Sequence, residues 1–394
     1  AVIVLYSLFF VPEKSITNQN LAEKNKVEQN DDAPSLEKKE TLIQISREDA
    51  LEQSERVQFE NEKIIGSISL KGAAIDDLTF KDYNTTLESN KKIILLGPRN
   101  TENGYLIESG FVTSDKNIDI PNSDSIWSVI GNNKLTNKSP IKLSWTNNQG
   151  VKFEKEISLD DKYLFTINQS VINSTNKKYD FYAYGQIIRN KIPEISNFYI
   201  LHEGLIATLD DELIEEDYDD IQEKKFSKVS EKGWLGISDK YWITSLIPPQ
   251  EKEFKTTFDF KKKFRANFIA TEPLELKGKS SVEEKLQIIV AAKRVDIIDG
   301  YADSLNIDKF DLVIDWGFLY FITKPLFFGI DYFFKLLGNY GLAIIAITIC
   351  IRLVFFPLAN FSFRSMAKMK ALQPEMVRLK ELHKNDKMKL QQEM

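Results

Sequence analysis

YGLAIIAITICIRLVFFPLA, residues 340–359, is the only run in this 394-residue chain long and apolar enough to cross a bilayer. A spanning helix needs about 20 predominantly apolar residues. Arg352 sits inside the run. A central arginine costs about 2.5–3.5 kcal/mol on an insertion scale, so its side chain should avoid lipid or snorkel to the interface. At a rise of about 1.5 Å per residue, Arg352 lies about 12 Å from the Asn360 end.

Positions three and four apart share a helix face. Ile344, Ile347, Ile351, Val354 and Leu358 form an aliphatic stripe, suited to lipid or packed neighbours. Gly341, Ile345, Thr348, Arg352, Phe356 and Ala359 form a mixed face, suited to a bundle interior or a wet cavity. Intramembrane ionisable groups mark function by default, and the bland alternative is an ion pair with a carboxylate on another helix. Either way the helix needs neighbours.

The formal charge of −6 is unevenly spread. Residues 362–394 carry +4, residues 313–361 carry +1, and everything before carries −11. Loops rich in Lys and Arg near a span stay cytoplasmic, whereas large domains cross regardless of charge. The acidic bulk is therefore expected outside and the basic tail inside. The single cysteine, Cys350, lies in the apolar run, so the outer domain must rely on its core and not on disulfides.

Residues 1–11 (AVIVLYSLFFV) are too short to span, and they lack a basic leader and a small-residue cleavage site; they read as the remnant of a transmembrane anchor. Residues 12–54 are polar and poor in large apolar groups, the composition of a flexible linker. Period-two alternation then recurs at residues 64–70, 141–145, 151–159, 163–171, 179–187 and 254–260. Half-buried strands in such number predict a large β-sandwich over 55–309. A helical connector is expected at its end, from Val295 to Lys309.

No catalytic or metal site stands out. Residues 210–220 (DDELIEEDYDD) lack the ligand spacing and glycine of a calcium loop, and predict a solvated acidic loop. His202 has no second histidine or nucleophile at a useful spacing. Neither a phosphate-cradling glycine loop nor a cofactor motif is present.

Residues 310–338 are apolar but interrupted by Asp315, Lys324, Pro325, Asp331 and Lys335, and carry Trp316, Tyr320 and Tyr332. Rings with a polar edge gather at membrane interfaces. The stretch predicts an interfacial amphipathic helix whose second piece starts at Pro325. A transmembrane helix at 339–360 and a basic helical segment at 361–394 follow. In the latter, Met369, Leu372, Met376, Leu379 and Leu382 make a seam for a partner helix. Pro374 is expected to interrupt it, and Asn385-Asp386 to turn a hairpin.

The order DWGFLYFITKPLF, GNYGLAIIAITICIRLVFFPL, SMAKMKALQPEM resembles the YidC membrane protein insertases of Gram-negative bacteria, which group with the mitochondrial Oxa and chloroplast Albino insertases. The resemblance implies a multi-pass inner-membrane protein that inserts and folds other membrane proteins, alone or with the Sec translocon. It implies a periplasmic β-supersandwich related in fold to sugar mutarotases, then an α-helical membrane region of which this chain holds only the first of five core helices. Arg352 matches the arginine of a hydrophilic groove, with Thr348, Gly341, Ile345 and Phe356 beside it. Trp316, Tyr320 and Pro325 fall in the interfacial helix, and Met366, Lys368, Met369, Lys370 and Arg378 in a cytoplasmic hairpin. The implied partners are nascent membrane proteins, Sec subunits, the ribosome, the signal-recognition-particle receptor and lipids, with no DNA, no cofactor and no catalysis. The rival readings are a membrane-tethered periplasmic carbohydrate-active enzyme and a Sec-associated scaffold without insertase activity.

Overall fold

The computed structural model describes residues 44–193, 202–250, 252–317 and 319–382. The expected anchor remnant, the linker up to residue 43 and the expected turn at Asn385-Asp386 lie outside these residues.

The described strands form two sheets. The eleven-stranded sheet runs Phe226–Ser230, Phe254–Phe260, Phe264–Ala270, Tyr179–Arg189, Tyr105–Val112, Ala74–Asn84, Ile64–Ser69, Arg56–Glu60, Lys134–Leu135. Leu274–Leu276 and Lys92–Leu96 pair at its side. The nine-stranded sheet runs Glu212–Asp217, Gly204–Leu209, Gly233–Ser238, Trp242–Ile247, Ser281–Ala292, Leu164–Asn173, Val151–Leu159, Ile141–Thr146, Ser128–Ile130. Pairing is antiparallel except between Arg56–Glu60 and Lys134–Leu135.

Alternation sends one side of each strand into the space between the sheets. In Leu164–Asn173 every second residue from Phe165 is buried. Phe59 of the larger sheet meets Phe165 of the smaller edge-on at 5.2 Å, and Phe153 meets Phe181 at 5.6 Å. Each such ring contributes about 1.5–3 kcal/mol by burial alone. One apolar cluster spans both sheets and extends to the segment that leads towards the membrane.

Three sequence expectations change here. The linker does not run to residue 54, because helix α1, Arg47–Glu52, docks on the sandwich. Ser46 accepts the Asp49 N–H at 3.1 Å, Arg47 pairs with Asp77, and Ala50 is buried. The acidic stretch is not a loop: Asp210 and Asp211, at φ 51° and 68°, make a two-residue hairpin turn. Glu212–Asp217 then pairs with Gly204–Leu209, and helix α2, Tyr218–Glu223, buries Tyr218 and Ile221.

The third change concerns the start of the interfacial stretch. Helix α3, Val295–Leu305, occupies the connector and buries Ile297, Ile298 and Tyr301. A 3-10 turn, Phe310–Val313, follows, with Phe310 packed edge-on against Trp234 at 5.2 Å. Residues 310–313 therefore belong to the sandwich core. Their aromatic and aliphatic side chains find partners there, and not in lipid.

Candidate functional site

After the 3-10 turn the chain makes two helices, α4, Tyr320–Leu337, and α5, Tyr340–Leu382. Gly338, at φ 67°, caps α4 by donating to the Phe334 carbonyl, a left-handed position that glycine occupies without strain. The Asn339 side chain accepts the Leu342 N–H at 3.2 Å and caps α5. The pivot brings Phe334 and Tyr340 into a stack at 4.0 Å. Further out, a Cβ on Gly329 would lie 2.8 Å from Ile347 Cδ1. The two helices thus touch nine residues from the pivot on each side.

This contact covers part of the aliphatic stripe and leaves the rest open. Ala343 is fully buried, and Ile347 and Ile351 are half-buried. The covered line is Ala343, Ile347 and Ile351, while Ile344, Val354 and Leu358 of the expected aliphatic stripe are exposed. Gly329, with no side chain, leaves room for the Ile347 side chain of the facing helix. Stripe counting by hydrophobicity alone gave Ala343 no weight.

Gly341, Ile345, Thr348, Arg352 and Phe356 all lie exposed on α5. Thr348 donates back to the Ile344 carbonyl at 2.7 Å, which satisfies its hydroxyl within the helix. Arg352 pairs with no acid among the described residues. One candidate span, in α5, is found among the described residues.

At the other end of α4 a cluster forms that the sequence reading only half anticipated. Trp316 meets Tyr320 edge-on at 6.5 Å and Phe327 at 5.5 Å. Lys324 Nζ lies 2.8 Å from Asp311 and 3.3 Å from Asp299. Tyr320 donates its hydroxyl to Asp311 at 2.7 Å. Burial opposes the Lys324 charge, yet its bonds to Asp311 and Asp299 prevail and hold the ammonium above its ordinary range. Burial likewise opposes the Asp311 charge, and Lys324 and Tyr320 overcome it and hold the carboxyl below its ordinary range. Asp299 and Asp311 were missed because their partner lies on another element, at no fixed sequence spacing.

Neither proline behaves as expected. Pro325 is the sixth residue of α4 and starts no second piece. At that depth it forfeits the bond that an N–H would make to the Phe321 carbonyl, while the Thr323 hydroxyl ties the turn before it to the Trp316 and Leu319 carbonyls at 2.8 and 3.2 Å. Pro357 and Pro374 both lie inside α5, which continues without a break at residue 360 or at Pro374. Each proline forfeits one backbone bond, at about 3 kcal/mol in a helix interior. The long helix absorbs this through the good helix formers on either side. Met366, Lys368, Met369, Lys370 and Arg378 are exposed on its distal part.

His202 is structural: Nδ1 sits 3.3 Å from Asp217 and Nε2 3.2 Å from the Leu205 carbonyl. No group of three His, Cys, Asp or Glu side chains poised for a metal occurs among the described residues.

Two family models match. Residues 56–328 fit the YidC periplasmic domain, and residues 332–394 the 60Kd inner membrane protein family. The membrane protein insertase YidC of Pelagibacter ubique is 68% identical over 394 residues, all of this chain and 71% of that protein. Those of Brucella suis and Rickettsia typhi are each 38% identical over 89% and 87% of this chain. The chain spans 59% and 62% of their lengths. A galactose mutarotase related enzyme from Lactobacillus acidophilus aligns at TM-score 0.43 and 12% identity, over 60% of this chain and 97% of that one. The two consecutive family matches and the relatives agree across sandwich and helices alike: this chain belongs to the YidC family of membrane protein insertases.

Proposed function

We propose that the exposed face of α5 lines a wet groove through which this protein carries the polar ends of nascent membrane proteins part-way across the bilayer. The observation that carries this is Arg352: a cation inside an apolar run, unpaired among the described residues, on the same side of the helix as Thr348 and Gly341. Unsatisfied polar groups cost several kcal/mol each in hydrocarbon. A hydrated half-channel shortens the path that a hydrophilic tail must travel, and Arg352 attracts its acidic residues. Apolar substrate segments leave along the uncovered aliphatic positions Ile344, Val354 and Leu358. The step needs no bond chemistry.

The α4 helix lies at the outer interface in this reading. Its exposed Phe321, Phe328, Tyr332 and Leu336 face the acyl boundary while Lys324 points to the sandwich. The distal part of α5 presents Met366 and Met369 beside Lys368, Lys370 and Arg378. Adaptable thioethers among cations suit ribosomal and targeting partners.

The test is insertion of a small Sec-independent membrane protein into liposomes that contain only the full chain. Wild type is expected to insert the substrate, Arg352→Lys to retain activity, and Arg352→Ala to lose most of it. Equal insertion by Arg352→Ala would remove the charge from the mechanism. Failure of the wild type would favour a scaffold that acts only beside the Sec translocon.

A further inference from the structure

We infer that Lys324 is a positioning residue that holds the sandwich and the groove helix in one frame. The inference rests on the groove reading for its functional consequence, and on geometry for the frame itself. Four elements converge on this one ammonium. Asp299 comes from α3, Asp311 from the 3-10 turn and Tyr320 from the first turn of α4, and the Trp316 ring lies 5.8 Å from Nζ in the connecting segment.

The contact is not an ordinary surface pair. The side chains of Lys324, Asp311 and Asp299 are 17%, 18% and 27% exposed. Two carboxylates share one cation, so removing that cation leaves like charges facing each other with reduced solvent to screen them. A lysine suits the task because its compact head bonds several acceptors at the end of a flexible stem.

What makes the node decisive is how little else binds α4 to the sandwich. No residue of α4 is fully buried, and its main packing partner among the described elements is α5. Hydrophobic burial therefore does not anchor α4 to the sheets, whereas α4 grips α5 through Gly329 against Ile347 and Phe334 against Tyr340. The mechanical path runs from α3 through Lys324 to α4, and from α4 to the helix that carries Arg352. Loss of one link near the sandwich would free its orientation without disturbing either core.

The experiment uses the full chain reconstituted in lipid bilayers on a Cys350→Ser background. Dyes are attached at Leu87→Cys on the sandwich and Phe363→Cys on α5, both exposed positions. Single-pair energy transfer is recorded for otherwise wild-type, K324Q and K324R proteins, with substrate insertion measured alongside. The docked-to-undocked ratio should fall about ten-fold in K324Q, the size of one strong charge-assisted contact. K324R should keep the narrow wild-type distribution. Insertion should fall in K324Q and recover in K324R. A K324Q distribution as narrow as wild type overturns the inference. So does a broadened K324Q distribution with full insertion, because orientation would then have no consequence for the groove. If the wild type does not insert, the groove reading fails, and energy transfer still decides whether Lys324 sets the frame.

Discussion

Lys155 shows how one residue couples the sandwich to pH. It falls in VKFEKEISL at the phase that points inward, between Phe153 and Ile157, and the residue is 2% exposed. Its ammonium donates to the Ser109 carbonyl at 2.7 Å and lies 5.1 Å from the Trp127 ring centre. Burial pushes its pKa down to about 8, outweighing the charge of Glu108, which pulls the other way. Its folded pKa is therefore below the unfolded value, near 10.4. Between these values the unfolded chain binds the extra proton, so stability rises with pH from about 8 to about 10. Below pH 8 the buried charge costs a constant penalty, on the order of 3 kcal/mol. Lys155→Met should raise stability at pH 7 by about 1–3 kcal/mol. It should also flatten the increase in melting temperature between pH 8 and 9.5, which differential scanning calorimetry measures directly. The position of Lys155 was legible from alternation, since the period-two rule places a residue whatever its type. Its chemistry was not legible, because the acceptor Ser109 and the Trp127 ring come from segments 28 to 46 residues away in sequence.

At the scale of elements, what the residue pattern revealed depended on whether one face or two were buried. Strands such as Val151–Leu159 and Leu164–Asn173 alternate and were readable. Gly204–Leu209 and Gly233–Ser238 are buried throughout, so they carry no period-two signal and escaped. Helix α1 escaped for the opposite reason: it buries only Ala50 and is held by a cap and an ion pair, neither of which has an apolar period. The hairpin of α4 and α5 shows the same limit. The sequence marked α5 as a span, yet the face it turns to α4 follows from Gly329, a residue without hydrophobic weight, which admits Ile347. Gly329→Ala should be tolerated, because the Ile347 methyl can give way. Gly329→Ile should force the helices apart and lower insertion by about ten-fold, the cost of about 1–2 kcal/mol of overpacking. Adding Ile347→Ala to Gly329→Ile should recover much of that loss. Disulfide trapping between cysteines placed across the hairpin would report the separation independently of activity.

Across the whole molecule, charge is divided along the sequence. The −11 carried before residue 313 belongs chiefly to the sandwich and the segment before it, while residues from 362 onward carry +4. The distal part of α5 exposes its cations and its thioethers together. On the proposed reading, an anionic partner such as ribosomal RNA is drawn to this basic end without any base-specific contact. The two kinds of group at that end should separate in a salt titration. Lys368→Gln with Lys370→Gln should weaken ribosome binding and lower the slope of log affinity against log salt by about 1–2, because each phosphate contact releases condensed counterions. Met366→Ser with Met369→Ser should weaken binding while leaving that slope unchanged, since apolar burial displaces no counterions. Co-sedimentation of full-length protein with ribosomes at several salt concentrations distinguishes the two. If both double variants shifted the slope equally, the methionines would be acting only by placing the lysines; if neither changed affinity, the contact would lie beyond this part of the helix.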